Sequence, residues 1–317
     1  MTQLLLKGSA PYLHTLKKLG TNELDYIMLN FPFSCNYSCI KCCNRLRPYN
    51  KWTFNVAKIK KLIWKCKILG ARVLVLAGEG ETTMHKDFKE IISFAHKNGI
   101  IPYIFTNGSM LNKEMSTFLA ENDATLIINI DSFLPERYDF YVKKEWAFKN
   151  LMKNLEITRN IYKKKLHALW KKTITSLAVN LVLNNENDNQ IQQIKKFCDG
   201  DMIFVVNKPI NIWAASQSRK DYDNVLEKLD KDISFPLGTL AEWQQCAYMR
   251  NGISISSNGE ILTCAYALET QNLYGNIDDD ILSMRKKVMK SVDDFYKKHG
   301  ESRCILRHPE YKKFLKK

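Results

Sequence analysis

Tyr26-Ile27-Met28-Leu29-Asn30-Phe31-Pro32-Phe33-Ser34-Cys35-Asn36-Tyr37-Ser38-Cys39-Ile40-Lys41-Cys42 runs from an apolar segment straight into three cysteines. The first six residues read as a buried strand, because a short apolar run ended by proline suits a sheet interior. The rest reads as a loop, with thiols separated by three and then two residues. Three thiolates on one short loop can bind three irons of a [4Fe–4S] cluster and leave the fourth iron open to a small ligand. A zinc site normally takes four protein ligands and paired Cys-x-x-Cys knuckles, so three cysteines serve it poorly. Inert buried thiols fit the polar Asn36-Tyr37-Ser38 context no better. The adjacent Cys43 receives no role.

Moving outward, strand-like runs alternate with amphipathic stretches as far as residue 206. The strand candidates are Tyr26–Phe31, Arg72–Leu76, Ile101–Phe105, Thr125–Ile130, Leu177–Leu183 and Met202–Val206. Between them, apolar residues at three- and four-residue spacing predict helices over Asn55–Leu69, Lys86–Lys97, Asn112–Glu121, Glu145–Tyr162 and Asn189–Phe197. Six β-then-α units imply an α/β fold with a parallel sheet and right-handed crossovers. The pattern alone leaves a partial barrel and an open doubly wound sheet both possible. In either, ligands gather at the carboxyl ends of the strands, where the cysteine loop sits.

After Pro209 the rhythm breaks. Residues 214–245 are polar and mixed. Ile253–Ser256 and Glu260–Thr263 then read as a hairpin closed by a type I′ turn at Asn258-Gly259. A charged helical tail is expected from about Ile281 to the end. The chain thus divides into an N-terminal helical extension (1–24), a barrel domain (25–213), and a linker with a small α+β domain (214–317).

Composition excludes several classes. No stretch approaches the roughly 18 apolar residues of a membrane span, and Met1–Gly20 lacks the h-region of a secretory signal. A cytoplasmic location follows. The net charge of +15 comes mostly from lysines on helical segments such as Lys58–Lys67 and Lys163–Lys172, which suits solvated faces. No nucleic-acid motif accompanies it, so nucleic acid is not expected as a partner. Nine cysteines without a signal argue for metal or redox work over disulfides.

The Cys35, Cys39, Cys42 spacing resembles the signature of the radical S-adenosylmethionine (SAM) superfamily. The resemblance extends in order from about residue 26 past 265. It implies a partial (β/α)6 barrel in which the triad holds a [4Fe–4S] cluster whose open iron chelates SAM. Reductive cleavage then yields a 5′-deoxyadenosyl radical that abstracts hydrogen from a substrate. Lys41 departs from the aromatic residue usual before the third cysteine.

The same resemblance gives meaning to the polar strand ends. Ala77-Gly78-Glu79-Gly80-Glu81-Thr82 follows the second strand, and Gly80-Glu81 best resembles the family's Gly-Gly-Glu-type motif that binds the SAM amino group, with Thr82 where proline is common. Taken alone it is a glycine-rich turn with solvated acids. Thr106-Asn107-Gly108 ends the third strand, Asn129-Ile130-Asp131-Ser132 the fourth, and Asn180 and Asn184 stand on the fifth. The resemblance implies SAM contacts for Gly80, Glu81, Thr106, Asn107, Asn129, Asp131, Ser132 and Asn180. Each could instead serve only as a turn or cap residue.

Cys246, twelve residues, Gly259, four residues, Cys264, and a distant Cys304 resemble the auxiliary-cluster extension called SPASM or, when short, Twitch. That implies a second [4Fe–4S] cluster with three protein ligands; ordinary buried thiols are the alternative. Cys66 and Cys198 lie in helical patterns with apolar neighbours and read as buried structural thiols. Hydrogen-atom donation by one of them is the functional alternative.

The function these features imply is radical chemistry on a peptide or protein side chain, by oxidation, cross-linking or epimerisation. SPASM-like extensions are frequent in peptide-modifying members, and a basic surface suits an acidic leader. The same chemistry on a sugar or nucleotide is the alternative, since the chain is short for an additional peptide-recognition domain. The C-terminal Phe314-Leu315-Lys316-Lys317 lacks the Gly-Gly tail of the superfamily's molybdenum-cofactor cyclase. A non-catalytic metal-binding interaction protein is the competing class. The expected partners are a flavodoxin- or ferredoxin-type reductant and a precursor peptide or protein.

Overall fold

Six β-branched and leucine-rich segments pair in unbroken chain order into one parallel sheet: β2 (Tyr26–Leu29), β3 (Val73–Leu76), β4 (Ile101–Thr106), β5 (Thr125–Asn129), β8 (Leu177–Val182) and β9 (Ile203–Asn207). The computed structural model describes residues 3–16, 18, 24–30, 34–40, 42, 55–77, 79–184, 186–207, 246–267, 274–302, 304–308 and 310–314. The expected domain boundary near 210–240, residues 214–245, Gly78, Lys41 and Cys43 lie outside them.

Strand order decides between the two candidate architectures. A doubly wound sheet reverses its order midway and carries helices on both faces. Here the order never reverses from β2 to β9. The crossover helices α2 (Val56–Ile68), α3 (Phe88–Lys97), α4 (Lys113–Glu121), α6 (Ala147–Lys163) and α7 (Ile191–Cys198) bury their apolar stripes in one cluster with Leu29, Leu76, Ile104, Ile128 and Leu181. With all five of these crossover helices on one face the sheet curls the other way, giving an open partial barrel. Each fully buried leucine or isoleucine at this interface contributes about 1.5–3 kcal/mol.

The concave face has its own core. Tyr26, Met28, Val73, Val75, Tyr103, Ile127 and Val205 point inward and meet Leu6, Ala10 and Leu13 from the N-terminal segment. That segment was expected to be helical; it opens with a strand, β1 (Gln3–Leu6), before the short α1 (Ala10–Thr15). β1 pairs in parallel with β7 (Lys172–Thr175), which pairs with β6 (His167–Leu169), so a second, three-stranded sheet supports the barrel. Neither β6 nor β7 stands out in the sequence, because both are only partly buried and show no clean alternation. The short α5 (Pro135–Val142) was likewise not anticipated.

The C-terminal segment joins the same sheet. After α8 (Ala247–Arg250), β10 (Gly252–Ile255) pairs in parallel with β2, and β11 (Ile261–Leu262) returns antiparallel to β10. The hairpin is where expected, but its turn differs. A type I′ turn needs positive φ at both central residues, and here only Gly259 has it, at 88°. Glu260 O accepts the Ser256 N–H at 2.9 Å, enclosing the three-residue loop Ser257-Asn258-Gly259. The tail helix α9 (Ile281–His299) stops at Gly300, and a one-turn helix, α10 (Tyr311–Phe314), follows. The expected continuous helix is therefore broken. Among the described residues no helix is long and apolar enough to cross a membrane.

Candidate active site

The strand ends of the barrel converge on the cysteine loop. Ser34 O accepts the Glu81 N–H at 2.9 Å, and the loop's far side is held by the C-terminus of α5. There the Ser38 and Ile40 N–H groups donate to Val142 O and Tyr141 O at 3.1 and 2.9 Å. A turn, Cys42 N–H to Cys39 O at 3.2 Å, folds the last two cysteines onto one another. Burial, then Asp131, Cys42 and Cys35, push the Cys39 thiol up to about 12. Withdrawal of water also raises Cys35, with Glu81 and Cys42 adding to it. Cys39 thus feels the charge of both other thiols, and Cys35 that of Cys42. Among the described residues no three Cys, His, Asp or Glu side chains stand close enough to hold a metal ion. The loop shows thiols facing a common space, not a preformed coordination sphere. Three thiols with no carboxylate or imidazole among them suit an iron–sulfur cluster with one open iron.

Glu81 is the hub beside the loop. Its Oε1 accepts Thr83 Oγ1 at 2.5 Å, Thr106 Oγ1 at 2.7 Å and Thr83 N–H at 3.3 Å. Its Oε2 accepts the Asn107 N–H at 2.7 Å. Burial raises the carboxyl, and these four donors pull it back toward ionisation. A carboxylate has about four lone-pair sites, so Oε2 keeps a direction for one more donor, such as an ammonium. The Asn107 side chain closes the circuit: Nδ2 lies 3.0 Å from Asn36 Oδ1 and 3.9 Å from Cys35 Sγ. Gly80 is half-buried at the start of this turn.

Across the barrel, three asparagines on the inner side of adjacent strand ends form an amide ladder. Asn207 Nδ2 donates to Asn180 Oδ1 at 2.6 Å, and Asn180 Nδ2 donates to Asn129 Oδ1 at 2.8 Å. Asp131 is half-buried and acts electrostatically on Cys39 and Tyr138. Ser132 stands apart from this group. It is fully buried and donates to Gln190 Oε1 at 3.0 Å, in a loop clasp that Phe133 N–H joins at 2.6 Å.

The structure thus draws together Cys35, Cys39, Cys42, Glu81, Thr106 and Asn107, and separately Asn129 and Asn180. Sequence reasoning missed Thr83 and Asn207 as partners. Asn207 carried the same signal as the others, a polar residue directly after an apolar strand. Asn30 and Glu79 were also passed over. Asn30 is fully buried on β2's C-terminal end and donates to Ala265 O at 2.9 Å and Glu79 Oε1 at 3.4 Å.

Of the late cysteines, two are brought within electrostatic reach of each other. Burial raises the Cys246 thiol and Cys304 raises it further, while Arg307 opposes. Cys264 follows β11 and accepts the Ala267 N–H at 2.9 Å. Cys66 and Cys198 are buried on the inner stripes of α2 and α7, as expected of structural thiols.

The sequence pattern of the family described as Radical SAM superfamily matches residues 29–198. The chain is 23% identical over 256 residues to the Fe-coproporphyrin III synthase of Methanosarcina barkeri, covering 73% of this chain and 60% of that protein. It is 22% identical over 271 residues to the mycofactocin maturase MftC of Mycolicibacterium smegmatis, covering 78% and 66%. The chain therefore spans about two thirds or less of the length of these curated relatives. Among solved structures, Streptococcus suis SuiB bound to precursor peptide SuiA superposes with a TM-score of 0.64 at 16% identity, over 86% of this chain and 67% of that one.

Proposed function

The chain belongs to the radical SAM superfamily, and from that premise we propose that it is an enzyme that cleaves SAM reductively to modify a peptide or protein side chain. A [4Fe–4S] cluster, when bound, supplies the electron that breaks SAM's sulfonium carbon–sulfur bond and so frees the 5′-deoxyadenosyl radical. Cys35, Cys39 and Cys42 hold that cluster in this reading. Glu81 Oε2 receives the SAM ammonium, with Gly80 beneath it, while Thr106 and Asn107 keep the carboxylate in place. Asn129, Asp131 and Asn180 line the opposite side, where the ribose hydroxyls need donors and acceptors. Ser132 braces the loop that carries Asp131. Cys246, Cys264 and Cys304 hold a second cluster.

The observation that carries the reading is the hydrogen-bonded circuit from Glu81 through Asn107 to Cys35. It ties the carboxylate for SAM to the loop for the cluster, which is the juxtaposition the chemistry needs. The peptide substrate is supported by the fold shared with SuiB, described with a precursor peptide, and by the net charge of +15, which suits an acidic leader. The same chemistry on a small molecule is the second reading, favoured by the Fe-coproporphyrin III synthase relative. The enzyme would work in the cytoplasm with a flavodoxin- or ferredoxin-type reductant.

Anaerobic reconstitution followed by a reducing assay for 5′-deoxyadenosine tests the proposal. The expected result is product from the unaltered protein and none from Cys35→Ala, Cys39→Ala or Cys42→Ala. A protein that binds iron and makes no 5′-deoxyadenosine is a non-catalytic metal-binding protein instead. A triad variant that keeps activity refutes the ligand assignment.

A further inference from the structure

The turn between α5 and α6 presents two aromatic rings to water. Phe140 is 66% and Trp146 71% exposed, although burial of such rings is among the larger gains of folding. The backbone holds them out against its own preference. Lys143 and Trp146 both adopt left-handed conformations, with φ of 53° and 62°, which bulky side chains rarely take. Asp139 fixes the turn: Oδ2 accepts the Trp146 N–H and Oδ1 the Phe148 N–H, both at 2.7 Å. A strained turn that displays rings points to a partner.

Cations surround the rings. Lys143 and Lys144 are exposed in the turn, and Lys149 and Lys153 are exposed one turn apart at the start of α6. Lys149 Nζ stands 5.7 Å over the Trp146 ring. Glu136 and Glu145 are the exposed acids among them, while Asp139 is taken up by the turn. Among the described residues no carboxylate pairs with these four lysines. Aromatic side chains ringed by unpaired lysines complement an acidic protein surface.

Position narrows the role. Ser38 and Ile40, on either side of Cys39, donate their N–H groups to Val142 O and Tyr141 O at the end of α5. Asn36 Nδ2 bonds Ser109 Oγ at 2.9 Å, and Asn150 of α6 bonds Ser109 O at 3.3 Å. The face is thus tied to the cysteine loop at Asn36, Ser38 and Ile40. Electron transfer through protein falls off steeply with distance, so a carrier must dock where that loop nears the surface. Cys35 is exposed and Cys39 half-buried there. We infer that the face built on Phe140, Trp146 and the four lysines docks a small acidic electron-carrier protein. The carrier's reduced centre loses one electron, and the cluster on the loop gains it. This inference rests on the reading of the chain as a SAM-cleaving enzyme.

The test uses the cluster-loaded full chain with an acidic flavodoxin and an acidic ferredoxin as probes. Freeze-quench EPR of the cluster reads electron transfer from each reduced carrier, and calorimetry with the oxidised carrier reads docking. At least one carrier should reduce the cluster, about tenfold more slowly when Lys143→Glu, Lys144→Glu and Lys149→Glu are combined. Trp146→Ser should weaken docking of that carrier about tenfold. Trp170→Ser, at an equally exposed tryptophan between β6 and β7, should change it by less than about twofold. Dithionite, which needs no docking, should reduce every variant at the unaltered rate. Raising salt from about 50 to about 300 mM should slow the carrier with the unaltered protein, so the proposal stays testable even where a variant does not fold. Salt-independent transfer overturns it, as does a charge-reversed variant that both carriers reduce at full rate. Unchanged carrier transfer with weakened binding of a polyglutamate peptide overturns it too, and gives the face to an acidic peptide. Absence of 5′-deoxyadenosine from the unaltered, dithionite-reduced protein is a separate failure, that of the enzyme reading itself.

Discussion

The carboxylate of Glu81 accepts the backbone N–H of Asn107 at 2.7 Å, across the C-terminal ends of two neighbouring parallel strands. Main-chain pairing aligns β3 with β4 only as far as the strands run. The carboxylate extends that alignment into the two loops beyond, and Asn107 carries it on to Cys35.

Thr106→Val tests how firmly the hub is held. Valine keeps the shape and removes one donor to a buried carboxylate, which should cost about 1.5–3 kcal/mol of stability. Urea unfolding of the metal-free protein should show the drop as a lower midpoint with an unchanged slope. SAM affinity should weaken alongside it. A variant with the same midpoint would mean that Thr83 alone satisfies Oε1.

Cys246→Ala separates the two cysteine sets. After reconstitution the variant should hold about four fewer irons per chain than the unaltered protein. SAM cleavage should persist, because Cys35, Cys39 and Cys42 are intact. An unchanged iron count would return Cys246 to the class of ordinary buried thiols.

Alkaline pH should weaken the fold through Cys66 and Cys198. Burial pushes both thiols up to about 12, against about 8.5 in an unfolded chain. Their neutral forms are therefore favoured in the folded state. Between those two values unfolding releases their protons, so stability falls as pH rises, by up to about 1.4 kcal/mol per pH unit for each thiol. Urea midpoints at pH 8 and pH 10 should diverge less in a Cys66→Ala, Cys198→Ala double variant. Equal divergence would place the alkaline loss elsewhere.

Gly108→Ala should disturb the site from behind. Gly108 has φ of 75°, and a Cβ there would stand 2.5 Å from Leu151 Cδ1 and 3.2 Å from Ile128 Cγ2. Left-handed backbone and crowding together should cost more than about 2 kcal/mol. A thermal midpoint within about a degree of the unaltered protein would show that the turn yields freely.

Local chemistry explains what could be read from the chain beforehand. The Thr125–Asn129 strand and the Lys113–Glu121 helix carry their own periodicity, so both fall within a residue or two of expectation. The three cysteines and the polar strand ends were legible because each lies beside an apolar run. What escaped notice depends on partners far away in the chain. β7 is a strand because β1 pairs with it, and its own Lys172-Thr173-Ile174-Thr175 has no clear face. Ser132 looked like a ligand-facing residue, yet its hydroxyl is taken by Gln190, which nothing near Ser132 announces. Asn258-Gly259 named a turn correctly but not its length, since that follows from where β11 re-enters register.

The pairing of β10 with β2 has a consequence for biosynthesis. Ser254 lies beside Met28 although 226 residues separate them. At about 5–20 residues per second the ribosome needs roughly 10 to 45 s to make that stretch. Throughout that interval one edge of the strand that leads into the cysteine loop has no neighbour, and a bare edge invites foreign pairing. The wall carrying Asn30 is complete only when Ala265 has emerged. Metal loading before then would act on a half-built vessel, so maturation of this protein belongs after translation.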